Sequence, residues 1–135
     1  MSSSSESRVL PSMATPPISI AQLKAFAEAA RDPNPIHQDE ETAVANGLPG
    51  IIAHGMLVAS YLSEYAESLR AEIFGPAVRL ARLQVRFKGM TRLGESLTLQ
   101  GTLRDLEVGK VLLQLEAIGA EGELKSTAAA TLWKK

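Results

Sequence analysis

The chain has 135 residues, 45% hydrophobic and 21% charged, a composition typical of one globular domain. Its 14 basic and 15 acidic side chains give a formal net charge of −1, which does not favour nucleic acid or an anionic membrane as a partner. The lack of cysteine excludes disulfides and thiol nucleophiles, and two histidines disfavour a zinc site. We therefore expect no metal ion.

Residues 1–17 begin with a serine-rich run and lack the basic and apolar regions of a secretory signal. They predict a flexible leader with at most a short strand, followed by a single domain over residues 18–135. The longest apolar stretch, residues 48–62, is interrupted by proline and glycine and is too short to cross a bilayer. A cytoplasmic protein is the resulting expectation.

Two short helices are predicted in the first third of the chain. Apolar residues at helical spacing predict a helix over Ile20–Ala30, with Ser19 and Gln22 forming a capping box. A second helix is predicted over Glu40–Asn46, with Asp39 as its N-cap. The prolines after Asp32 would end the first of them.

A third helix and a sheet account for the rest of the domain. From His54 to about Ala71 the helix is apolar on most sides at first, which predicts burial. Alternating apolar and polar residues then predict four strands joined by short turns, with a bulge at Gly101. The predicted architecture is α+β, a curved antiparallel sheet around one long central helix. The predicted strands lie near residues 83–88, 97–103, 111–117 and 124–133.

Asp32 and His37 lie five positions apart in a turn stiffened by Pro33 and Pro35. A carboxylate and an imidazole on one rigid loop can share a water molecule, one taking its proton while the other orients it. The same pattern is typical of an ordinary turn in which both side chains bond only the backbone. Spacing alone leaves both interpretations open.

The start of the third helix is the second candidate site. Its first amide groups have no partner within the helix, and Gly55 would let a substrate carbonyl approach them. Close packing of Gly55 against a strand explains the residue equally simply. His54 is more typical of a packing or supporting residue than of a ligand. An acid–base pair and free N–H donors are what addition of water to an activated carbonyl compound needs.

Two segments of the chain resemble a known family when they are taken together. Residues 26–65, FAEAARDPNPIHQDEETAVANGLPGIIAHGMLVASYLSEY, resemble the signature of the MaoC-like (R)-specific enoyl-CoA hydratases, which have the hotdog fold. Residues 82–106, RLQVRFKGMTRLGESLTLQGTLRDL, resemble that family's strand pair. The resemblance covers about residues 20–133.

The resemblance implies a role for each matching residue. Asp32 and His37 would be the catalytic dyad that activates the water added to C3 of a trans-2-enoyl thioester. The Gly55 amide would bind the thioester carbonyl oxygen, and Asn34 would brace the loop. Ser63 matches a hydroxyl near the family's acyl pocket, although an ordinary buried helix serine is an equal alternative.

The resemblance also implies a cofactor-free hydro-lyase that converts trans-2-enoyl-CoA to (R)-3-hydroxyacyl-CoA reversibly. The substrate would be a thioester of coenzyme A or of acyl carrier protein. The enzyme would be a homodimer, since pairing across a dimer would cover an exposed edge strand of the sheet.

Two other functions are alternatives to the hydratase, and one residue departs from the family's pattern. A hotdog acyl-CoA thioesterase would direct water to the carbonyl carbon, and a non-catalytic acyl-binding or heterodimer-forming subunit would lack the dyad. Arg31 stands where the family most often has glycine, which places a cation next to Asp32. This departure from the family's pattern bears on which substrate the site would prefer.

Overall fold

The computed structural model describes residues 7–134, which form one six-stranded sheet and three α-helices. All strand pairs are antiparallel, in the order β1-β4-β5-β6-β3, and β2 also pairs with β4. The elements are β1 (Arg8–Val9), β2 (Met13–Ala14), α1 (Ile20–Ala30), α2 (Glu40–Ala45), α3 (Gly55–Phe74), β3 (Val78–Phe87), β4 (Thr98–Asp105), β5 (Lys110–Ile118) and β6 (Leu124–Lys134).

Helices α1 and α2 lie close to their predicted positions. Ser19 Oγ accepts the amide N–H of Gln22 at 3.1 Å, as an N-cap should. The Gln22 side chain, which was expected to complete a capping box, instead donates to the hydroxyl of Tyr61. This bond ties α1 to α3. Helix α2 ends one residue earlier than predicted, and the Asp39 carboxylate caps its first turn.

The long helix α3 is the centre of the fold. It begins directly after its N-cap His54 and continues to Phe74, three residues beyond the predicted end. Arg70 ties the end of the helix to the segment that follows it, because its guanidinium donates to the carbonyls of Gly75 and Val78 at 2.6 and 2.9 Å. The side chains that α3 buries are Leu57, Val58, Ala59, Leu62, Tyr65, Ala66 and Leu69.

One face of the sheet packs against α3 and forms the main core. The buried inward positions of β4, β5 and β6 alternate with less buried outward positions, which are polar in β4 and mixed in β5 and β6. The predicted α+β architecture, a sheet around a central helix, is confirmed. The core side chains from these strands include Leu99, Leu103, Val111, Leu113, Leu115, Ala128, Ala130 and Leu132.

Strand β3 is not next to β4, the strand that follows it in the chain. It pairs with β6, the last strand, so the segment 88–97 crosses to the opposite side of the sheet before β4 begins. Only β4, β5 and β6 are joined as consecutive neighbours by short turns. Strand β3 is therefore an edge strand, and it lies against α3.

The predicted bulge at Gly101 is wrong. The pairing of β4 with β5 runs without a shift through Gly101 opposite Leu115, and the irregularities lie between Leu80 and Arg82 in the β3–β6 pairing and between Ala117 and Ile118 in the β5–β6 pairing. Glycine is required at position 101 because a β-carbon there would lie 2.6 Å from the Gln114 carbonyl oxygen.

The segment before α1 adds more to the sheet than the sequence predicted. Residues 1–6 of the predicted leader lie outside the described residues. Residues 7–17 contain two two-residue strands instead of at most one, and both pair with β4. Leu10 and Thr15 are buried there, and the Thr15 hydroxyl accepts the Leu97 amide at 2.9 Å. No helix in residues 7–134 combines the length and apolarity that crossing a membrane requires.

Candidate active site

Asp32 is presented by the end of α1. Arg31 adopts the left-handed conformation with φ 55° and ψ 41°, and the Asp32 amide returns to the Ala27 carbonyl at 2.9 Å. This hydrogen bond and the left-handed Arg31 end the helix. The Asp32 side chain is 52% exposed, so its carboxylate is accessible to a substrate or to water.

His37 is held by a short 3₁₀ turn over Pro35–His37. Asn34 caps this turn, because its side-chain oxygen accepts the Ile36 amide at 3.2 Å. The His37 ring is buried, and its Nδ1 lies 2.8 Å from the Ile52 carbonyl oxygen. Since a carbonyl only accepts, Nδ1 carries a proton, and in the neutral imidazole the lone pair is then on Nε2. His37 is thereby arranged as an acceptor.

His54 connects the two residues. Its ring stacks on the His37 ring, with 3.8 Å between centroids and 24° between planes. Its Nε2 lies 3.2 Å from the Asp32 backbone oxygen and 4.0 Å from Asp32 Oδ2. The His54 ring also lies near Phe26, at 4.9 Å between centroids. His54 is only 3% exposed, in agreement with the packing role expected for it.

Gly55 is the first residue of α3 and adjoins this group directly. Its N–H belongs to the helix turn that has no intrahelical acceptor, at the end where the helix dipole is positive. Gly55 is exposed, and the ring of Phe87 lies next to its Cα. The Gly55 amide therefore follows directly after the residue that contacts both Asp32 and His37.

An open groove of about 850 Å³ lies along α3 from Met56, the residue after Gly55. One wall is α3 and the other is the edge strand β3. Ser63 lines the groove two turns beyond Gly55, about 12 Å along the helix axis, and is half-buried. The residues along it are Met56, Ala59, Ser60, Ser63, Glu64, Glu67, Leu83, Val85 and Phe87.

Asp32, His37 and His54 each offer one ligand atom, and these atoms lie within 4.8 Å of one another. Such a trio could in principle hold a metal ion. The bond of His37 Nδ1 to a carbonyl and the near-parallel stacking of the two rings argue against it, because Zn²⁺ needs nitrogen lone pairs converging at about 2.0–2.1 Å. The geometry fits acid–base chemistry better, and the absence of a metal requirement stays a prediction.

The structure brings Asp32, His37 and His54 together, with Gly55 next to His54 in the chain, and places Ser63 apart from them in the groove. Sequence reasoning did not identify Phe87 as part of the site. Its position in the Arg-Phe pair of the resemblance, at the end of a predicted strand, was the available signal. The Ile52 carbonyl was also missed, since a backbone acceptor leaves no trace in the side-chain pattern.

An antiparallel sheet around one long helix, with an acid–base pair beside the first turn of that helix, defines a hotdog-fold protein of the dehydratase type. The MaoC like domain family model matches residues 6–117, and the chain belongs to this family.

Two known proteins illustrate the similarity in sequence. The fatty acid synthase beta subunit TOXC of Cochliobolus carbonum is 32% identical over 98 residues, 73% of this chain and 5% of that protein. The (R)-specific enoyl-CoA hydratase of Rhodospirillum rubrum is 32% identical over 89 residues, 66% of this chain and 60% of that protein. The chain therefore spans a small part of the first relative and somewhat over half of the second.

A solved structure shows the similarity in fold. The ChsH1–ChsH2 complex of Mycobacterium tuberculosis contains a chain that superposes with a TM-score of 0.79 at 20% identity. The match covers 95% of this chain and 96% of that chain. The predicted hotdog fold is confirmed.

Proposed function

We propose that this protein adds water to trans-2-enoyl thioesters to form (R)-3-hydroxyacyl thioesters, and catalyses the reverse dehydration. The observation that carries the proposal is the convergence of Asp32 and His37 beside the free amide of Gly55. The similarity to the hydratase of Rhodospirillum rubrum supports the same activity.

The proposed mechanism begins with a water molecule held between the dyad side chains. His37 Nε2 accepts one proton of this water, because Nδ1 is committed to the Ile52 carbonyl. The exposed Asp32 carboxylate accepts the other hydrogen bond and orients the oxygen towards C3. The oxygen then bonds to C3 while the π electrons move towards the thioester carbonyl.

The Gly55 amide stabilises the charge that this attack creates. Negative charge develops on the thioester oxygen, where the free N–H and the positive end of α3 lower its energy. Collapse of the enolate then takes a proton at C2 from one member of the dyad. Water is thus divided between C3 and C2, and no other reactant is consumed.

The groove along α3 is the proposed acyl site. Its lining begins at Met56, the residue after Gly55, and the walls there are apolar, with Met56, Val85 and Phe87. An acyl chain attached to a carbonyl at Gly55 would lie along this groove towards Ser63. The carrier at the open end of the site would be coenzyme A or acyl carrier protein.

We also propose that the protein is a cytoplasmic homodimer paired through β3. This strand is an edge of the sheet, and it ends at Phe87, which is 51% exposed and lines the groove with Met56, which is 64% exposed. Unpaired edge strands favour association, and a second copy would close the groove. Pairing with a different hotdog chain is the alternative. Sedimentation of the purified protein distinguishes the two, because a homodimer has twice the chain mass, whereas a chain that needs a different partner would have the mass of one chain.

The test is an assay of the purified protein with trans-2-enoyl-CoA substrates of increasing length. We expect loss of enoyl absorbance, an (R)-3-hydroxyacyl product and no release of free thiol. Asp32→Asn and His37→Ala should abolish hydration while the protein stays folded, although loss of the buried His37 ring should lower the unfolding temperature. Asp105→Asn, which changes an exposed carboxylate at the end of β4, should leave hydration unchanged. Full activity in either dyad variant would overturn the assignment, and thiol release without hydration would indicate a thioesterase.

A further inference from the structure

His54 is the one side chain that contacts both members of the proposed dyad while it adjoins the proposed carbonyl-binding amide. Its ring packs face to face on His37, and its Nε2 bonds the backbone oxygen of Asp32. The next residue in the chain is Gly55. No other residue within 7–134 combines these three relationships.

The position of the proton on His54 follows from its partner. The Asp32 backbone oxygen can only accept, so Nε2 carries hydrogen and donates it at 3.2 Å. Nδ1 is buried and bonds no protein atom among the described residues. With 3% of its surface accessible, the ring cannot reach a substrate in the groove. His54 therefore offers a hydrogen bond and a packing surface, and proton transfer is left to His37.

These contacts link parts of the site that are far apart in the chain. Asp32 follows α1, His37 ends the 3₁₀ turn and Gly55 begins α3. The His54 side chain fixes the first two relative to the third, because the same residue is the N-cap of α3. Displacement of a reacting group by about 1 Å can lower a rate about a hundredfold, so such a link bears directly on catalysis.

We infer that His54 is a positioning residue, which holds the Asp32–His37 dyad at the distance from the Gly55 amide that hydration requires. This inference rests on the proposed hydratase activity for its kinetic test, whereas its structural test is independent of any activity. The competing explanation is that the ring only fills space in the core.

Two variants separate these explanations. His54→Gln keeps an N–H donor at nearly the same reach from the backbone, while His54→Leu has similar bulk and no donor. We expect His54→Leu to lower kcat by about tenfold to a hundredfold with KM changed less than about threefold. His54→Gln should recover kcat to within about fivefold of the parent protein. Equal kcat in the parent and His54→Leu, or equal losses in both variants, would overturn the inference.

The structural test uses the fact that the chain has only two histidines. In ¹⁵N-histidine NMR spectra of the parent protein, we expect one ring protonated at Nδ1 (His37) and one at Nε2 (His54), assigned with the His54→Gln variant. In His54→Leu the His37 signals should shift or broaden. An Nδ1-protonated His54, or unchanged His37 signals in His54→Leu, would contradict the inference. A parent protein that hydrates no enoyl-CoA would instead refute the proposed function, and the NMR result would stand separately.

Discussion

The ring of Phe87 lies directly against Gly55, so that a β-carbon built on Gly55 would be 3.2 Å from Phe87 Cε1 and 3.4 Å from Cδ1. Gly55 begins the central helix and Phe87 ends the edge strand, so this contact is where the helix and the sheet meet beside the dyad. A side chain at position 55 would therefore compete with the Phe87 ring for the space through which a carbonyl reaches the amide.

Gly55→Ala should lower kcat/KM by about tenfold or more while the protein stays folded. Phe87 is 51% exposed and can move aside, so the free energy of unfolding should change by less than about 0.5 kcal/mol. The activity falls because the added methyl group and the displaced ring restrict access to the N–H. Steady-state kinetics and denaturant unfolding measure the two effects.

The double variant Gly55→Ala/Phe87→Leu is the control for this prediction. A smaller side chain at position 87 returns space to the methyl group, and part of the lost activity should return. If Gly55→Ala alone retained the parent kcat/KM, the amide of Gly55 would not be the carbonyl-binding group.

Gly101→Ala should destabilise the sheet by about 1–3 kcal/mol. The new β-carbon would lie 2.6 Å from both the Gln114 carbonyl oxygen and Leu115 Cδ2, and the first of these belongs to the backbone and cannot rotate away. Gly89→Ala is the matched control, since its β-carbon meets only the Leu124 oxygen at 3.4 Å and looser contacts beyond. Urea unfolding of both variants gives the comparison, and equal midpoints would show that β4 and β5 separate easily here.

The local elements and the loop that bears the proposed dyad could be predicted from the sequence, because their signals are local. Helical spacing and the Ser19 cap fixed the bounds of α1, and the prolines around Asn34 indicated a rigid loop bearing Asp32 and His37. The start of α3 at Gly55 was equally visible, since apolar residues follow it on every side.

The rest depends on contacts between residues distant in the chain. The pairing of β3 with β6 leaves no local pattern, and the chain order suggested different neighbours. Gly101 was read as a bulge because a sequence does not show how closely the facing strand approaches. The stacking of His54 on His37 likewise follows from folding α3 against the loop after α1, so the sequence indicated a supporting residue without its partners.

Lys125→Met should destabilise the protein by about 3–5 kcal/mol, because it breaks a buried ion cluster and leaves a carboxylate behind. The buried Lys125 ammonium donates to the Met90 carbonyl at 2.5 Å and lies 3.4 Å from Glu95 Oε1, which is also buried. This cluster anchors the segment before β4, whose Thr91 carbonyl accepts the Ala53 amide at 2.8 Å. The double variant Lys125→Met/Glu95→Gln should be more stable than Lys125→Met, and the reverse order would contradict this account.

Glu123, whose Oε1 lies 3.0 Å from Lys125 Nζ, predicts a loss of stability in acid. A hydrogen bond from its own backbone amide, followed by one from Lys125, lowers the pKa of Glu123 from 4.5 to about 2. The unfolded chain therefore binds a proton at Glu123 at a higher pH than the folded chain, so this contribution to stability is present above about pH 4.5 and disappears as the pH falls towards about 2. Urea midpoints measured across that range should fall less in Glu123→Gln than in the parent protein, and parallel curves would refute the prediction.

Arg31→Gly should stabilise the protein by about 0.5–1 kcal/mol, since Arg31 is the one non-glycine residue among 7–134 with a positive φ, 55°. A β-carbon is disfavoured in this left-handed conformation, and the end of α1 requires the conformation because the Arg31 amide returns to Ala27 and Glu28. Arg31→Ala removes the same charge but keeps the β-carbon, so it should give no gain. Thermal and urea unfolding of the two variants therefore separates backbone strain from charge, and an equal gain in both would assign the effect to the guanidinium. Hydration kinetics of the same pair then show whether the cation beside Asp32 affects the reaction, because any change common to both variants comes from the lost charge.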